Sequence, residues 1–288
     1  MLNQFELYMP ASLQEALDQY EALGQSCKIL AGGTDVLVEM HGGHKSYGCL
    51  MDIKKLDELK GISFDPLKGL VIGALTTHRE LEMMPLLKAK YTALQEGARQ
   101  VGCVQTRYRG TIGGNICNAV PSGDTLGPLL ALNARLVLAS KQGTREVSFG
   151  EFFLGAKKTV LQPGELLMHI IVPEIQANSA SAYTKFTRRN SMDLALLGAS
   201  AVVTSNDRNT CDDIRISLTT SAPTVIRALK TEAFLKGREL TSENLEMAGQ
   251  IASEEARPRS SWRSSEEYRR EVLKTIVPRT IATAFSRI

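Results

Sequence analysis

Lys28-Ile29-Leu30-Ala31-Gly32-Gly33-Thr34-Asp35 is the stretch on which the reading of this chain turns. The apolar run Lys28 to Ala31 predicts a buried strand that feeds directly into a Gly-Gly turn, and Val36, Leu37 and Met40 then supply one apolar face of a short helix. Strand, glycine turn and helix in that order leave backbone amides free at a helix N-terminus, where they can face an anion. Glycine permits both the unusual dihedrals and the close approach that this needs. The stretch is not G-x-G-x-x-G, and neither that fingerprint nor the Walker lysine motif occurs elsewhere. A lone Gly-Gly turn also serves as a plain tight connection. Because a carboxylate beside a pyrophosphate is repelled, Asp35 is expected to point away and cap the helix while the amides of Gly32 to Thr34 face the anion.

Outward from this stretch, the first 60 residues alternate strand and helix signals: a strand at Phe5 to Tyr8, a helix opened by the capping box Ser12-Leu13-Gln14-Glu15, and a strand at Cys49 to Ile53. A second unit, residues 61–175, begins with strands near Ile62 and at Gly69 to Gly73. A capping box at Thr77 to Glu80 follows, with a helix interrupted at Pro85 that resumes to about Gln100. Then come a glycine-rich loop at Gly110 to Asn115, a helix from Asp124 to Leu132, and strands at Ala134 to Ala139 and Leu166 to Val172. A third unit, residues 180–288, reads as strands near Tyr183 to Thr187, Ala199 to Thr204 and Ile214 to Thr220. Helices follow from about Val225, Ser242 and Ser265, the last with a capping box at Ser264 to Glu267 and a kink at Pro278. Strands followed by segregated helices predict an α+β architecture.

The 288 residues are 43% hydrophobic, 23% charged and 6% aromatic, an ordinary globular composition, and a prior of about 150 residues per domain suggests two domains within a range of one to three. A formal net charge of +3 without a basic tract gives no reason to expect nucleic acid as a partner. No window has the roughly 18 apolar residues of a membrane span and the first residues lack a secretory core, so the expectation is a cytoplasmic protein with no membrane partner. Cys27, Cys49, Cys103, Cys117 and Cys211 are odd in number and scattered, which argues against a disulfide framework and against an iron-sulfur cluster held by this chain. His41, His44, His78 and His169 do not make a zinc pattern, and no metal site is expected.

The second glycine cluster, Thr111-Ile112-Gly113-Gly114-Asn115, again joins close-approach glycines to hydroxyl and amide side chains, with Asp124 ten residues beyond Gly114. Two such clusters on separate α+β units could hold an extended anionic ligand such as a dinucleotide. Together, the stretches Lys28 to Asp35 and Thr111 to Asn115 resemble the medium, FAD-binding subunit of the molybdenum hydroxylases. The likeness extends to Ala256 to Arg263 and the helix containing Tyr268-Arg269, and is nearest to the xanthine dehydrogenase branch.

That resemblance implies an FAD-binding region of the p-cresol methylhydroxylase type in two subdomains, residues 1–60 and 61–175. A C-terminal α+β domain of the CO dehydrogenase flavoprotein type would occupy residues 180–288. It implies that Lys28, Ile29, Leu30, Ala31, Gly32, Gly33, Thr34 and Asp35 wrap the FAD pyrophosphate. Gly110, Thr111, Ile112, Gly113 and Gly114 would also face the cofactor, with Asp124 and, less directly matched, Val101, Leu166 and Lys185 as further contacts. A lysine beside a flavin would stabilise the negative charge that reduction brings, and Lys185 reads equally as a solvated strand lysine. The resemblance further implies a heterotrimer, alone or dimerised. Its large subunit would carry a molybdopterin cofactor and hydroxylate xanthine or another purine, its small subunit two 2Fe-2S clusters, and this chain would pass electrons through FAD to NAD. Nicotinate, carbon monoxide or another small molecule is the alternative substrate, and a flavin-free scaffold the alternative role. Cys103, Cys117 and Met192 read as packing residues. Trp262 reads as a partner contact or as packing, and Arg188-Arg189 as a solvated face or as a contact to an anionic nicotinamide dinucleotide.

Overall fold

The computed structural model describes residues 4–207 and 209–288. Strands β1 (Glu6–Tyr8), β2 (Cys27–Leu30) and β3 (Cys49–Asp52) form a parallel sheet in the order β1-β3-β2, with α1 (Leu13–Leu23) and α2 (Val36–His41) as the crossovers that parallel pairing requires. Ser12 caps α1 by accepting from the Glu15 amide at 3.2 Å. The register sets Cys27 opposite Cys49 with their Cα atoms 4.5 Å apart, and the two form a disulfide. The sequence argued against a disulfide framework, and this single pair lies outside that reading: residues 22 apart in sequence become neighbours through one crossover, which cysteine spacing does not reveal.

The second stretch contains β4 (Ile62–Asp65), β5 (Gly69–Gly73), six short helices, α3 (His78–Met83), α4 (Pro85–Lys90), α5 (Thr92–Arg99), α6 (Val104–Arg109), α7 (Ile112–Asn118) and α8 (Leu126–Ala131), and then β6 (Arg135–Ser140), β7 (Gly143–Ser148), β8 (Phe153–Gly155), β9 (Lys158–Thr159) and β10 (Leu166–Val172). An antiparallel sheet runs β4-β5-β10-β6-β7. The predicted glycine-rich loop is the start of α7, capped by the Thr111 hydroxyl, which accepts from the Gly114 amide at 3.1 Å. Strand β7 was not predicted because, as an exposed edge rich in polar residues, it carries no apolar alternation.

The third stretch is an antiparallel meander of β11 (Ser179–Phe186), β12 (Leu197–Thr204), β13 (Asp213–Thr219) and β14 (Ile226–Arg227), followed by α9 (Leu229–Leu235), α10 (Ser242–Glu255) and α11 (Glu266–Phe285). The N-cap of α11 is Ser265, whose hydroxyl accepts from the Tyr268 amide, so the expected Ser264/Glu267 box is not formed. Strand β12 is buried along its whole length. One apolar core joins β5, β6 and β10 to α5 and α8 and takes in Val202, and another lies between β12, β13, α10 and α11. The architecture is α+β. No helix among the described residues is long and apolar enough to cross a membrane.

Candidate functional site

A cleft of about 750 Å³ opens between the carboxyl end of β2, the residues after β3 and β5, the N-terminus of α7 and the start of β10. Its lining brings together Lys28, Ile29, Ala31, Gly32, Gly33, Thr34 and Asp35 with Gly110, Thr111, Gly113 and Gly114, and with Val101, Asp124 and Leu166. Three expected residues are elsewhere. Leu30 packs with Met40 and Leu50, Ile112 is in the core with Leu70, and Lys185 lies behind Asp124.

The two glycine motifs meet back to back. A Cβ at Gly32 would sit 1.9 Å from the Arg109 carbonyl oxygen, so glycine at this position lets the two segments touch. Gly33 has φ +76°, the left-handed region that glycine enters without penalty. Their amides differ in availability. The Ile112 amide donates to Thr76 O and the Gly113 amide to Ala74 O, both at 2.9 Å, and Gly114 donates to its cap. Among the described residues the amides of Gly32, Gly33 and Thr34 make no hydrogen bond, and these three residues line the cleft. The first motif therefore supplies an anion cradle, whereas the second uses its amides to bind α7 to the segment after β5. The second cluster therefore borders the cleft with glycine backbone and the Thr111 side chain rather than with free amides, because the first donors of its helix are already satisfied.

Asp35 lines the cleft and its side chain caps nothing, correcting the expectation that it turns away. Burial by the cleft walls, with the Glu39 carboxylate, pushes its carboxyl up. At the far end Asp124 accepts from Tyr183 Oη at 2.9 Å and Lys185 Nζ at 2.8 Å. Burial pushes the Asp124 carboxyl up to about 6 against the lowering effect of both partners. Lys185, 7% exposed, also donates to Gln100 O, so it is not a solvated lysine.

Sequence reasoning missed several residues. His78, 2% exposed, borders the cleft beside Gly110, and among the described residues its Nδ1 has no hydrogen-bond partner. Burial, helped by Arg107, brings its imidazole down to about 4, so it is neutral at physiological pH. The Thr77 capping box, whose next residue is His78, was the one signal pointing here. Lys157, in the β8-β9 turn, reaches across to Glu39 at 2.6 Å, and Glu165 lines the cleft while held by Arg145. Cys117 also lines the cleft, with its thiol pushed up to about 12 by burial. Trp262 is 79% exposed, with the guanidinium of Arg188 5.0 Å and that of Arg263 5.3 Å from its ring centre. Among the described residues no group of three His, Cys, Asp or Glu side chains could hold a metal ion.

Residues 3–175 match the model of the FAD binding domain in molybdopterin dehydrogenase, and residues 181–284 that of the CO dehydrogenase flavoprotein C-terminal domain. This chain belongs to the FAD-binding medium subunits of the molybdenum hydroxylases. It is 32% identical to the putative xanthine dehydrogenase FAD-binding subunit XdhB of Escherichia coli over 95% of this chain and 94% of that one. It is 34% identical to the carbon monoxide dehydrogenase medium chain of Hydrogenophaga pseudoflava over 98% of each. A solved structure of carbon monoxide dehydrogenase from that organism superposes with a TM-score of 0.95 at 33% identity, covering 100% of this chain and 99% of that one.

As a medium subunit of this family, the chain has a cleft that fits FAD chemically. Free amides at Gly32 to Thr34 suit a pyrophosphate, and Ile29, Leu75, Leu161, Leu166 and Leu167 give apolar wall for flat rings. Asp124, Asn115 and Glu165 offer polar partners along its length.

Proposed function

We propose that this chain holds FAD in the cleft and relays electrons from iron-sulfur clusters on a partner subunit to NAD, within a cytoplasmic heterotrimer whose molybdopterin-bearing large subunit oxidises xanthine or a related purine. FAD supplies the ability to accept electrons one at a time or in pairs and to pass them on as hydride. The observation that carries the reading is the set of unpartnered amides at Gly32, Gly33 and Thr34 on the wall of a cleft of about 750 Å³. In this reading those amides hold the pyrophosphate, Gly110, Thr111, Gly113 and Gly114 form the facing wall, and Val101, Asp124 and Leu166 contact the remainder of the cofactor. Leu30 and Ile112 support the wall from the core, and Lys185 acts through Asp124. The subdomains are residues 1–60 and 61–175, and residues 180–288 form the C-terminal domain.

The purine assignment is supported by the likeness to XdhB and by the C-terminal segment Ala256 to Arg263. The carbon monoxide dehydrogenase medium chain is as similar overall, so the test is turnover by the purified complex. Xanthine-dependent reduction of NAD⁺ is the expected result. A complex that ignores xanthine while carbon monoxide or nicotinate reduces its flavin would overturn the purine assignment and leave the flavin assignment intact.

A further inference from the structure

A second cavity of about 260 Å³ adjoins the cleft and shares Gly102, Met192 and Asp193 with it. We propose that it is an anion subsite that takes a phosphoryl group, as part of a nicotinamide dinucleotide or as free phosphate, beside the flavin. Four cationic residues line it, Arg99, Arg107, Lys185 and Arg189, with Asp193 as the one lining carboxylate; Glu82 and Asp124 pair with Arg107 and Lys185 from behind, which leaves one positive charge in excess.

The acceptors that would otherwise satisfy these cations are already used. Gln100 O accepts from Lys185 Nζ at 3.0 Å, Val101 O from Arg107 Nη1 at 3.0 Å, and Gly102 O from the Met192 amide. Asp193 accepts from the amides of Arg188, Arg189 and Leu194 and lies 3.6 Å from Arg189, so its charge is largely compensated. Donors are left over. Among the described residues Lys185 spends two of its three N–H groups, on Asp124 and Gln100, while Arg107 spends Nε on Glu82 and Nη1 on Val101 and leaves Nη2 unused. Arg99, the exposed last residue of α5, makes no ion pair or hydrogen bond through its side chain among the described residues. The third N–H of Lys185, Nη2 of Arg107 and the whole guanidinium of Arg99 thus converge as spare donors on one cavity, and convergent guanidinium and ammonium donors are the pattern that recognises phosphate. The volume equals roughly nine waters at about 30 Å³ each, which admits a hydrated phosphoryl group and excludes a complete dinucleotide. The remainder of a dinucleotide would have to extend past Gly102 and Met192 into the cleft mouth.

The assignment to a dinucleotide rests on the proposed flavin and NAD reading, whereas anion binding by the cavity does not. The experiment uses the complex containing this chain, with flavin content read from its absorption spectrum. Inorganic phosphate is titrated calorimetrically into the wild type, Arg99→Gln and Arg99→Lys, and flavin reduction is followed with NADH and with a phosphate-free dihydronicotinamide. Because Arg99 is exposed and unpaired, both variants should melt like the wild type. The expected result is saturable millimolar or tighter phosphate binding, weakened at least about tenfold in Arg99→Gln and largely retained in Arg99→Lys. Phosphate that competes with NADH, and not with the phosphate-free donor, assigns the site to the dinucleotide; saturable binding without competition assigns it to free phosphate. No saturable binding, or equal binding in wild type and Arg99→Gln, overturns the proposal. Loss of flavin alone would instead count against the cleft reading.

Discussion

His78 and Asp124 border the same cleft, and burial moves them in opposite senses. Burial brings the His78 imidazole down to about 4, so between about 6.5 and 4 the unfolded chain binds the proton that the folded chain refuses, and stability falls as pH falls through that window. The contribution is about 3 kcal/mol at most. Asp124, raised to about 6, works the other way: the folded chain holds the proton longer, and stability falls as pH rises from about 4 to about 6. Replacing His78 with phenylalanine should remove the first dependence and leave the second. Urea unfolding of both proteins at several pH values would then show the variant losing less stability on acidification; identical slopes would mean that the imidazole is protonated in the folded protein. Lys185 shows the limit of reading one residue in sequence, because it reads equally as a cation beside the flavin and as a solvated strand lysine, and the partner that holds it, Asp124, is 61 residues away.

At the scale of elements, the point of closest approach is where the segment after β2 crosses the end of α6. With the Arg109 oxygen 1.9 Å from where a Cβ would stand, Gly32→Ala must push the two motifs apart, costing about 1–3 kcal/mol and loosening the cradle. Gly33→Ala meets only the flexible Leu37 and Leu30 side chains and the cost of positive φ, about 1–2 kcal/mol. Thermal melts with FAD titrations should therefore show Gly32→Ala losing more FAD affinity than Gly33→Ala; the reverse order would mean that backbone dihedral, not contact between the motifs, shapes the cradle. These elements were legible in unequal measure. Strand β5 and strand β10 were read at their observed ends because apolar runs bounded by glycine or a turn mark strands clearly. The pairing of Cys27 with Cys49, the conversion of Gly110 to Asn115 into a capped helix start, and the saturation of its amides by Thr76 and Ala74 depend on register and tertiary contact. No local pattern encodes them.

Across the whole molecule, the cleft draws its walls from all three stretches of chain: the parallel sheet provides free amides, the antiparallel sheet an apolar wall, and the loop Met192 to Leu194 one edge of its mouth. The two motifs identified from sequence lie on that one cleft, which two unrelated tight turns would have had no reason to share. The most direct measurement is the visible absorption spectrum of the purified complex containing this chain, after incubation with FAD and removal of free cofactor, for the wild type and for Gly32→Ala. The account predicts a retained flavin band in the wild type, close to one FAD per copy of this chain, and a diminished one in the variant. A correctly assembled wild-type complex without a flavin band would contradict it.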